Sequence, residues 1–570
     1  MPTYAIDTAR GEAIAGVRAV LGEPVDVIVT VPPPGVDADL AVPCFPLAAK
    51  LKKPPADVAQ QLADHMPVLS LLAQPRAEGG YLNFLLNRPA YAKAVMEDLS
   101  RLADRYGSGE EGTGQSVVID FSSPNVARPM SVGHLRSTII GDALYRLYAF
   151  SGYAPVGVNH YADWGTQFGT LLYGMTHWLD PEAYAQAPIP ELLRLYVRFD
   201  QEAERTPALR DEARGWALRL ERGDPEARRM WEEIVQHSLA EFRRIYERLG
   251  VTFDSWRGES AYLEDAKTVI EEAARTGVAQ EDQGALIVPL ADAGIETPLI
   301  LRTSDGRTMY HTRDVAAAIY RIHTYHPVQL IYVVGADQRL HFRQLFATLK
   351  KLGYEGPTYA HVDFGLITLP EGRMSTRRGR VVFLEDVLDE AVARARQLVE
   401  KNQELSDAEK DEVAQTVGIG AIKYADLSQN RVKNIVFEWD RMLALDGDSA
   451  PYLQYTYVRA RGIMRKGSMA YPAGAIDVRA TETSEEWVLI KHLARFPEAV
   501  RDATRAYHPH VVANYLYHLA QTFHAFYHQV PVLQATDEAL RQSRMELVRA
   551  TAQVMQTGLG LLGIQVPERM

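Results

Sequence analysis

The pattern of apolar positions changes along the chain and divides it into three parts. The first part combines two short apolar runs, over 25–31 and 80–85, with helical spacing over 47–63. These patterns predict two strands and one amphipathic helix. Four glycines then fall in a short polar stretch at 107–114, which predicts a joint between domains. Residues 1–112 are therefore expected to form a small N-terminal α+β module.

An alternation of strand and helix patterns starts at residue 116. The continuous apolar run over 117–119 is typical of a strand that is buried on both faces. Apolar residues recur at helical spacing over 135–147, and a second strand is predicted over 156–160. This order predicts a βαβ unit with a right-handed crossover, and hence a parallel sheet. The strand pattern returns at 330–334 and again over 362–369.

Two long segments have helical patterns. A charge-dense segment at about 188–260 is predicted to be a helical insertion in the sheet domain. After residue 383 nearly every segment has helical spacing, and a break at Ala450 and Pro451 predicts a further boundary. The fold class expected is α/β. It consists of a Rossmann-type parallel-sheet catalytic domain over 113–445 and an all-helical bundle over 446–570, preceded by the N-terminal module.

Composition limits the classes of protein that the chain can belong to. Its 570 residues are 47% hydrophobic and carry a net charge of −12, which excludes an overall basic coat but not local basic patches. Cys44 is the only cysteine, so an intramolecular disulfide and a cysteine-rich zinc site are excluded. We expect Cys44 to be a small buried residue. Neither a signal peptide nor an apolar run of about 20 residues is found, so a cytoplasmic location without membrane contact is expected.

A loop followed by a helix start comes directly after the first strand of the βαβ unit. Free backbone N–H groups and the positive end of the helix dipole lie at such a start, outside the carboxyl end of the strand. Gly133 lets a ligand ring approach the backbone, and His134 can donate to a phosphoryl oxygen. We interpret Ser131, Gly133 and His134, with the cationic Arg128, as a nucleotide site. An ordinary helix start is the alternative.

A second candidate segment, at 372–380, contains four arginines and two glycines. It follows the strand pattern at 362–369, and an open parallel sheet binds its ligands beyond such strand ends. The segment could therefore clamp a polyphosphate, although a solvated surface loop is the alternative. The candidate residues are Arg373, Met374, Ser375 and Arg377.

The two segments, in this order, resemble the two ATP motifs of class I aminoacyl-tRNA synthetases. Residues 125–142, 159–169, 373–382 and 451–459 are similar to the arginyl-tRNA synthetase family in particular. The resemblance implies use of ATP with Mg²⁺ and of L-arginine, transfer to tRNA(Arg), no protein-bound metal, and activation that requires bound tRNA. Ser131 replaces the usual first histidine, and Arg128 and Arg373 replace usual lysines. Arginine keeps the charge but is larger and forked, so these exchanges are not neutral.

An arginine substrate carries a planar guanidinium, which carboxylates bind in a two-pronged geometry. Tyr310 and Asp314 are four residues apart and would share one face of a helix, and Asp120 ends the first strand. The resemblance assigns these three residues to the guanidinium and Asn125 and Gln338 to the α-amino and carboxylate end. Helix caps or surface polar groups are the alternative for each residue. Gly335, which follows the strand at 330–334, is added to the ATP site.

Aromatic and basic residues alternate after Pro451, and residues 451–470 contain no acid. Such side chains can stack on splayed bases and contact phosphates, so Tyr452, Tyr455 and Arg459 are interpreted as a tRNA surface. Packing of the tyrosines into the bundle is the alternative. The resemblance also implies a tRNA contact by Tyr81 and Asn83, which share one face of a strand. Edge-strand packing is the alternative for this pair.

Three other functions are kept as hypotheses. One is the same class of enzyme charging another amino acid, and a second is an inactive RNA-binding paralogue, given Ser131 and Arg373. A third, a metabolic nucleotidyltransferase with a similar sheet, does not account for the basic and aromatic C-terminal part. An arginine–tRNA ligase acting in protein synthesis, as a monomer, is the function we expect.

Overall fold

A computed structural model describes residues 3–22, 24–33, 35–369, 372–373, 382–400, 402–467 and 476–570. The N-terminal part is built on a three-stranded antiparallel sheet in the order β1–β3–β2. Its elements are α1 (Ala5–Leu21), β1 (Leu40–Pro43), α2 (Phe45–Leu51), α3 (Pro55–His65), β2 (Arg76–Glu78), β3 (Tyr81–Phe84) and α4 (Arg88–Leu102). Cys44 is buried between β1 and α2, as expected.

Two predicted elements of this part are wrong in extent. No strand forms over 25–31, where Thr30 alone makes a bridge, to Ala41. Pro32 and Pro33, which follow Val31, have no N–H to donate, so this bridge cannot be extended in that direction. The helix predicted over 47–63 is two helices, because Lys52 adopts a left-handed conformation with φ of 53° and the prolines at 54 and 55 restart the chain.

The central part contains a five-stranded sheet in the order β11–β10–β4–β5–β6, and all four strand pairs are parallel. Val118 and Ile119 on its middle strand are fully buried, which explains their continuous apolar run. The predicted βαβ unit is confirmed as β4, α5 and β5. The elements up to the last of these strands are β4 (Ser116–Asp120), α5 (Val132–Phe150), β5 (Ala154–Asn159), α6 (Gln167–Trp178), α7 (Pro181–Gln186), α8 (Pro188–Arg205), α9 (Leu209–Glu221), α10 (Pro225–Leu249), β6 (Ser255–Trp256), α11 (Leu263–Arg275), β7 (Gln280–Asp282), β8 (Ala285–Val288), β9 (Leu299–Arg302), α12 (Tyr310–Tyr325), β10 (Pro327–Tyr332), α13 (Arg339–Lys351) and β11 (Thr358–His361).

The strand predicted over 362–369 is not a continuous strand of the main sheet. The main-sheet strand β11 ends at His361, and β12 (Ile367–Leu369) pairs instead with β13 (Gly372–Arg373) and β14 (Ile435–Val436). Gly365 lies between them, where a Cβ atom would come within 2.6 Å of the Lys433 carbonyl oxygen. This close backbone approach, which apolar spacing does not reveal, marks where the chain leaves the main sheet.

The rest of the described chain is almost entirely helical, as predicted, apart from β14. The helices are α14 (Leu384–Val399), α15 (Asp407–Leu427), α16 (Trp439–Met442), α17 (Ala450–Gly467), α18 (Ser484–Ala494), α19 (Phe496–Ala506), α20 (His510–Gln529) and α21 (Glu538–Leu561). Helix α17 begins at the predicted break. Among the helices that the structure describes, none combines the length and apolar character needed to cross a membrane.

Helix α5 is fixed by a buried arginine. Arg136 pairs with Asp426 of α15 at 2.9 Å and donates to the carbonyl oxygen of Gly365 at 2.7 Å. Its neighbour Ser137 donates to the carbonyl oxygen of Val333 at 2.6 Å and accepts from the N–H of Ser122. These buried hydrogen bonds set the position of the helix relative to the edge of the sheet.

Replacing Arg136 by methionine is expected to lower the free energy of unfolding by about 3–5 kcal/mol, because the buried carboxylate of Asp426 loses its partner. Urea unfolding followed by circular dichroism would measure the change. The double variant Arg136→Met/Asp426→Leu, which replaces the pair by apolar side chains, should regain most of the loss. A single variant within about 0.5 kcal/mol of the parent chain would contradict this role, since surface substitutions have effects of that size.

Candidate active site

The carboxyl ends of the central strands meet at one edge of the sheet. Asp120 at the end of β4 is in register with Tyr332 of β10 and with Val158 of β5, and His160 follows β5 directly. Helix α5 begins at this same edge, because it follows β4 in the crossover. An open parallel sheet binds ligands at such an edge. The strand ends and the helix start therefore define the candidate site.

The geometry at the start of α5 fixes the proton position on His134. The backbone N–H of Ser131, the N-cap residue, donates to Nδ1 of His134 at 3.0 Å. We therefore assign the ring proton to Nε2, which is left as a donor. Burial lowers the pKa of His134 and keeps the imidazole neutral at neutral pH. Gly133 is exposed, so the backbone at the helix start is open to a ligand.

The chain that follows the arginine-rich segment pairs with the first motif. Val132 donates its N–H to the carbonyl oxygen of Val382 at 3.2 Å, and Leu384 donates to that of Met130 at 2.8 Å. The segment begins at β13, where Arg373 pairs with Thr368. Met374, Ser375 and Arg377 lie outside the described residues. The two motifs, far apart in the chain, are thus brought together at the C-terminal end of the second one.

Arg128 is directed toward the insertion. Its guanidinium lies 4.4 Å from the ring centre of Tyr196 in α8. The preceding residue, Ala127, has a left-handed φ of 64° and donates its N–H to Ser238 Oγ of α10 at 2.9 Å. The helical insertion therefore holds the loop that leads into α5. The phosphate contact assigned to Arg128 stays a prediction.

Asp314, which belongs to α12, lies at the centre of a cluster of polar side chains. Its carboxylate is 2.9 Å from Nε2 of His341 and 3.5 Å from Nε2 of His160. Burial alone would raise the pKa of Asp314, but the two neighbouring histidines outweigh burial and hold that pKa below its ordinary range. Tyr310, one turn earlier, is 45% exposed, and its ring centre lies 5.4 Å from that of His341. The predicted shared face of Tyr310 and Asp314 is present.

Asp120 is buried and already has partners within the chain. Its Oδ2 lies 2.8 Å from Nη1 of Arg321, and Ser123 Oγ donates to its Oδ1 at 3.0 Å. His160 is within electrostatic range of both Asp120 and Asp314, and these carboxylates raise its pKa against the effect of burial. The two aspartates therefore belong to one cluster.

Sequence reasoning missed three members of this cluster: Arg321, His160 and His341. Arg321 is seven residues after Asp314, two helical turns, so spacing alone could have placed it on the same face. His341 follows Gln338 by three residues at the start of α13. A further buried pair, Arg313 with Glu259 at 2.9 Å, borders the cluster, and burial raises the pKa of Glu259.

The remaining predicted ligand residues lie around the same edge. Asn125 is exposed, and its backbone forms a bridge to Ala162 after β5. Gln338 is exposed in the turn between β10 and α13. Gly335 forms a bridge to Phe364. Their contacts with substrate stay predictions.

The residues predicted to contact tRNA differ in exposure. Tyr455 is 40% exposed, whereas Tyr457 on the same helix is buried in the bundle, so packing into the bundle holds for Tyr457. The tRNA contact assigned to Tyr452, Tyr455 and Arg459 stays a prediction. Tyr452 packs beside His524, and the guanidinium of Arg459 lies 5.0 Å from the ring centre of Tyr527.

In the N-terminal part, Tyr81 is 44% exposed and packs edge-on against Phe45. Asn83 is buried and donates to Glu78 at 3.2 Å. The tRNA contacts assigned to both residues stay predictions. Within the described ranges, no group of three or more His, Cys, Asp or Glu side chains could hold a metal ion.

Comparisons with known proteins agree with this arrangement. The model of the family described as tRNA synthetases class I (R), catalytic domain, matches residues 100–439, so the sheet and its edge are those of a class I tRNA synthetase. The arginyl tRNA synthetase N terminal domain matches residues 6–86, and the DALR anticodon binding domain matches residues 453–570. The chain belongs to the arginyl-tRNA synthetase family.

Individual relatives match along the whole chain. The arginine–tRNA ligase of Chloroflexus aggregans is 45% identical over 100% of both chains, and that of Halothermothrix orenii is 41% identical over 96% of both. The solved arginyl-tRNA synthetase of Thermus thermophilus superposes with a TM-score of 0.82 at 29% identity and covers 99% of each chain. The resemblance drawn from the motifs is confirmed.

Proposed function

We propose that this chain is an arginine–tRNA ligase. It activates L-arginine with ATP to arginyl-adenylate and pyrophosphate, and then transfers the arginyl group to the 3′ end of tRNA(Arg), releasing AMP. The observation that supports this best is the juxtaposition of the buried Asp120 and Asp314 cluster with the start of α5 at one sheet edge. A cationic amino acid and a nucleotide could meet there.

In the first step an oxygen of the arginine carboxylate attacks the α-phosphorus of ATP, and the bond to the pyrophosphate oxygen breaks. His134 donates from Nε2 to a phosphoryl oxygen as negative charge develops, and the α5 dipole acts in the same direction. Arg128, Arg373, Ser375 and Arg377 hold the phosphates, which bring Mg²⁺ with them. Ser131, Gly133, Gly335 and Met374 contribute to the nucleotide site. No covalent enzyme intermediate is required, so catalysis is positioning and charge stabilisation.

Arginine is held at its two ends. Asp120, Tyr310 and Asp314 receive the guanidinium, and Asn125 and Gln338 receive the α-amino and carboxylate groups. A lysine ammonium is a point charge and cannot bind two carboxylates in the fork geometry of a guanidinium. The site thus selects arginine by shape as well as charge.

In the second step a ribose hydroxyl of the terminal nucleotide attacks the acyl carbon of the adenylate, and AMP leaves. Residues 446–570, with Tyr452, Tyr455 and Arg459, bind the anticodon region. Residues 1–112, with Tyr81 and Asn83, bind the outer corner of the tRNA, and residues 113–445 carry the chemistry. The enzyme acts as a monomer in the cytoplasm.

The direct test is a charging assay with tRNA(Arg) and each of the twenty amino acids, together with pyrophosphate exchange with and without tRNA. Arginine alone should be charged, and exchange should require tRNA. Charging of a different amino acid would overturn the substrate assignment, and exchange without tRNA would overturn the tRNA requirement. Binding of tRNA without any AMP release would instead identify an inactive RNA-binding paralogue.

Replacing Tyr455 by alanine is expected to raise the KM for tRNA by about 5- to 100-fold, because base stacking on an exposed aromatic ring contributes about 1–3 kcal/mol. The KM values for arginine and ATP should change little. The exposed Tyr310→Phe change, which keeps the ring in the arginine site, should leave the KM for tRNA unaltered and serves as the control. An unchanged KM for tRNA in Tyr455→Ala would remove this residue from the tRNA surface.

A further inference from the structure

A buried arginine of the chain itself faces one of the two carboxylates proposed to bind the substrate. Arg321 is 1% exposed, and its Nη1 lies 2.8 Å from Oδ2 of Asp120. The ring of Tyr332 lies 5.5 Å from the same guanidinium, in the neighbouring strand β10. A chain-internal guanidinium thus occupies one oxygen of Asp120, and the Ser123 hydroxyl contacts the other.

Helix α12 carries both this cation and the second carboxylate. Arg321 and Asp314 are seven residues apart, which is two helical turns, so they lie on one face of the helix. Asp314 is held by His160 and His341 rather than by an arginine, and it keeps 22% of its side-chain surface exposed. Asp120 keeps only 5%. The two aspartates therefore differ. Asp314 is partly exposed, whereas both carboxylate oxygens of Asp120 have partners within the chain.

We propose that Arg321 is a positioning residue for arginine recognition. It fixes the plane of the Asp120 carboxylate and compensates one of the two negative charges of the cluster. This inference rests on the proposed function, because it takes Asp120 and Asp314 as the guanidinium site. Arg313 is paired to Glu259, so the two carboxylates of Asp120 and Asp314 and the single guanidinium of Arg321 leave one negative charge among these three groups. One monovalent cationic side chain neutralises that charge.

Loss of Arg321 has two consequences. The Asp120 carboxylate can rotate away from the fork geometry, which weakens binding of a planar guanidinium more than binding of a point charge. The buried Asp120 carboxylate also loses the cation that holds it in place inside the fold. Arginine binding should therefore fall, and discrimination against lysine should fall with it. A merely structural role would change neither the KM for arginine nor the preference for arginine over lysine.

The test compares Arg321→Met, Arg321→Lys and Asp120→Asn in pyrophosphate exchange with tRNA, with thermal unfolding measured in parallel. Arg321→Met is expected to raise the KM for arginine by about 30-fold or more, the effect of removing one partner of a buried charge pair, with the KM for ATP within about twofold. The preference for arginine over lysine should drop by about tenfold or more, and Arg321→Lys, which keeps the charge but not the fork, should restore part of both losses.

Arg544→Met is the matched control, because Arg544 forms a buried pair with Glu486 at 2.7 Å in the C-terminal bundle. It should lower stability and leave the KM for arginine unaltered. The proposal is overturned if Arg321→Lys and Arg321→Met change the arginine-to-lysine preference no more than Arg544→Met does. It is also overturned if the KM values for arginine and ATP rise together. If Arg321→Met does not fold, the proposal is decided by comparing the arginine-to-lysine preference of Arg321→Lys with that of Arg544→Met.

The failure of this proposal can be distinguished from the failure of the proposed function. A parent enzyme that charges arginine, with a raised KM for arginine in Asp120→Asn and no effect of Arg321, rejects the positioning role alone. A parent enzyme that does not charge arginine rejects both.

Discussion

Asp314→Asn is expected to raise the KM for arginine by about 30- to 1,000-fold, while the KM for ATP stays within about threefold. The physical reason is that the ligand guanidinium would lose a carboxylate that the neighbouring His160 and His341 keep ionised at neutral pH. Removing one partner of such a charge pair costs about 2–4 kcal/mol. Asparagine keeps the volume of the side chain, so the change isolates the charge. Pyrophosphate exchange at varied arginine and saturating ATP measures the effect.

A matched control is Asp292→Asn, an exposed acid between β8 and β9 that is paired with Lys351 at the end of α13 at 2.8 Å. It should leave both KM values unaltered, because exposed pairs contribute little. Thermal unfolding of Asp314→Asn should be measured as well, since His341 loses a charged partner. A folded Asp314→Asn enzyme with the parent's KM for arginine would exclude Asp314 from the substrate site.

His134→Asn is expected to lower kcat for arginyl-adenylate formation by about 100- to 1,000-fold, the usual cost of removing one donor that stabilises developing negative charge. The KM for arginine should change little, since the residue acts on the phosphate. The reason is the Nε2 donor, which the Ser131 backbone N–H fixes by occupying Nδ1. Single-turnover formation of the adenylate in the presence of tRNA measures the step.

The pH dependence of the parent enzyme provides an independent readout. Because burial lowers the pKa of His134, its ring stays neutral as pH falls through the ordinary histidine range near 6.5. Protonation of His134 should therefore cause no loss of rate until the pH is clearly below that range. His323→Asn, a change of a histidine on α12 that lies against Tyr354, is the control and should retain the parent rate. A His134→Asn enzyme with parental kcat would remove the residue from the mechanism.

The sheet was predictable because its signal is local. The continuous apolar run at 117–119 reflects burial on both faces of β4, and helical spacing over 135–147 reflects packing of α5 on that strand. The failures also have local causes. A left-handed Lys52 divides one helix, and the close approach at Gly365 takes the chain out of the main sheet. Both depend on backbone geometry, which apolar spacing does not encode.

The candidate site was only partly predictable. Tyr310 and Asp314 follow from helical spacing within five residues, and the His134 helix start follows from the strand before it. The pairing of Asp120 with Arg321 joins residues 201 positions apart, and that of His160 with Asp314 joins residues 154 apart. No local pattern reports such contacts, because they depend on which strands are neighbours in the sheet.

The hydrogen bond between Ser131 and His134 bears on how this helix start can evolve. The group that sets the imidazole tautomer is a main-chain N–H, which every residue type except proline supplies. An exchange of side chains at position 131, such as serine for the histidine that the motif resemblance implies, therefore leaves the proton on His134 in place. A proline at 131 is the single substitution that would remove that donor outright.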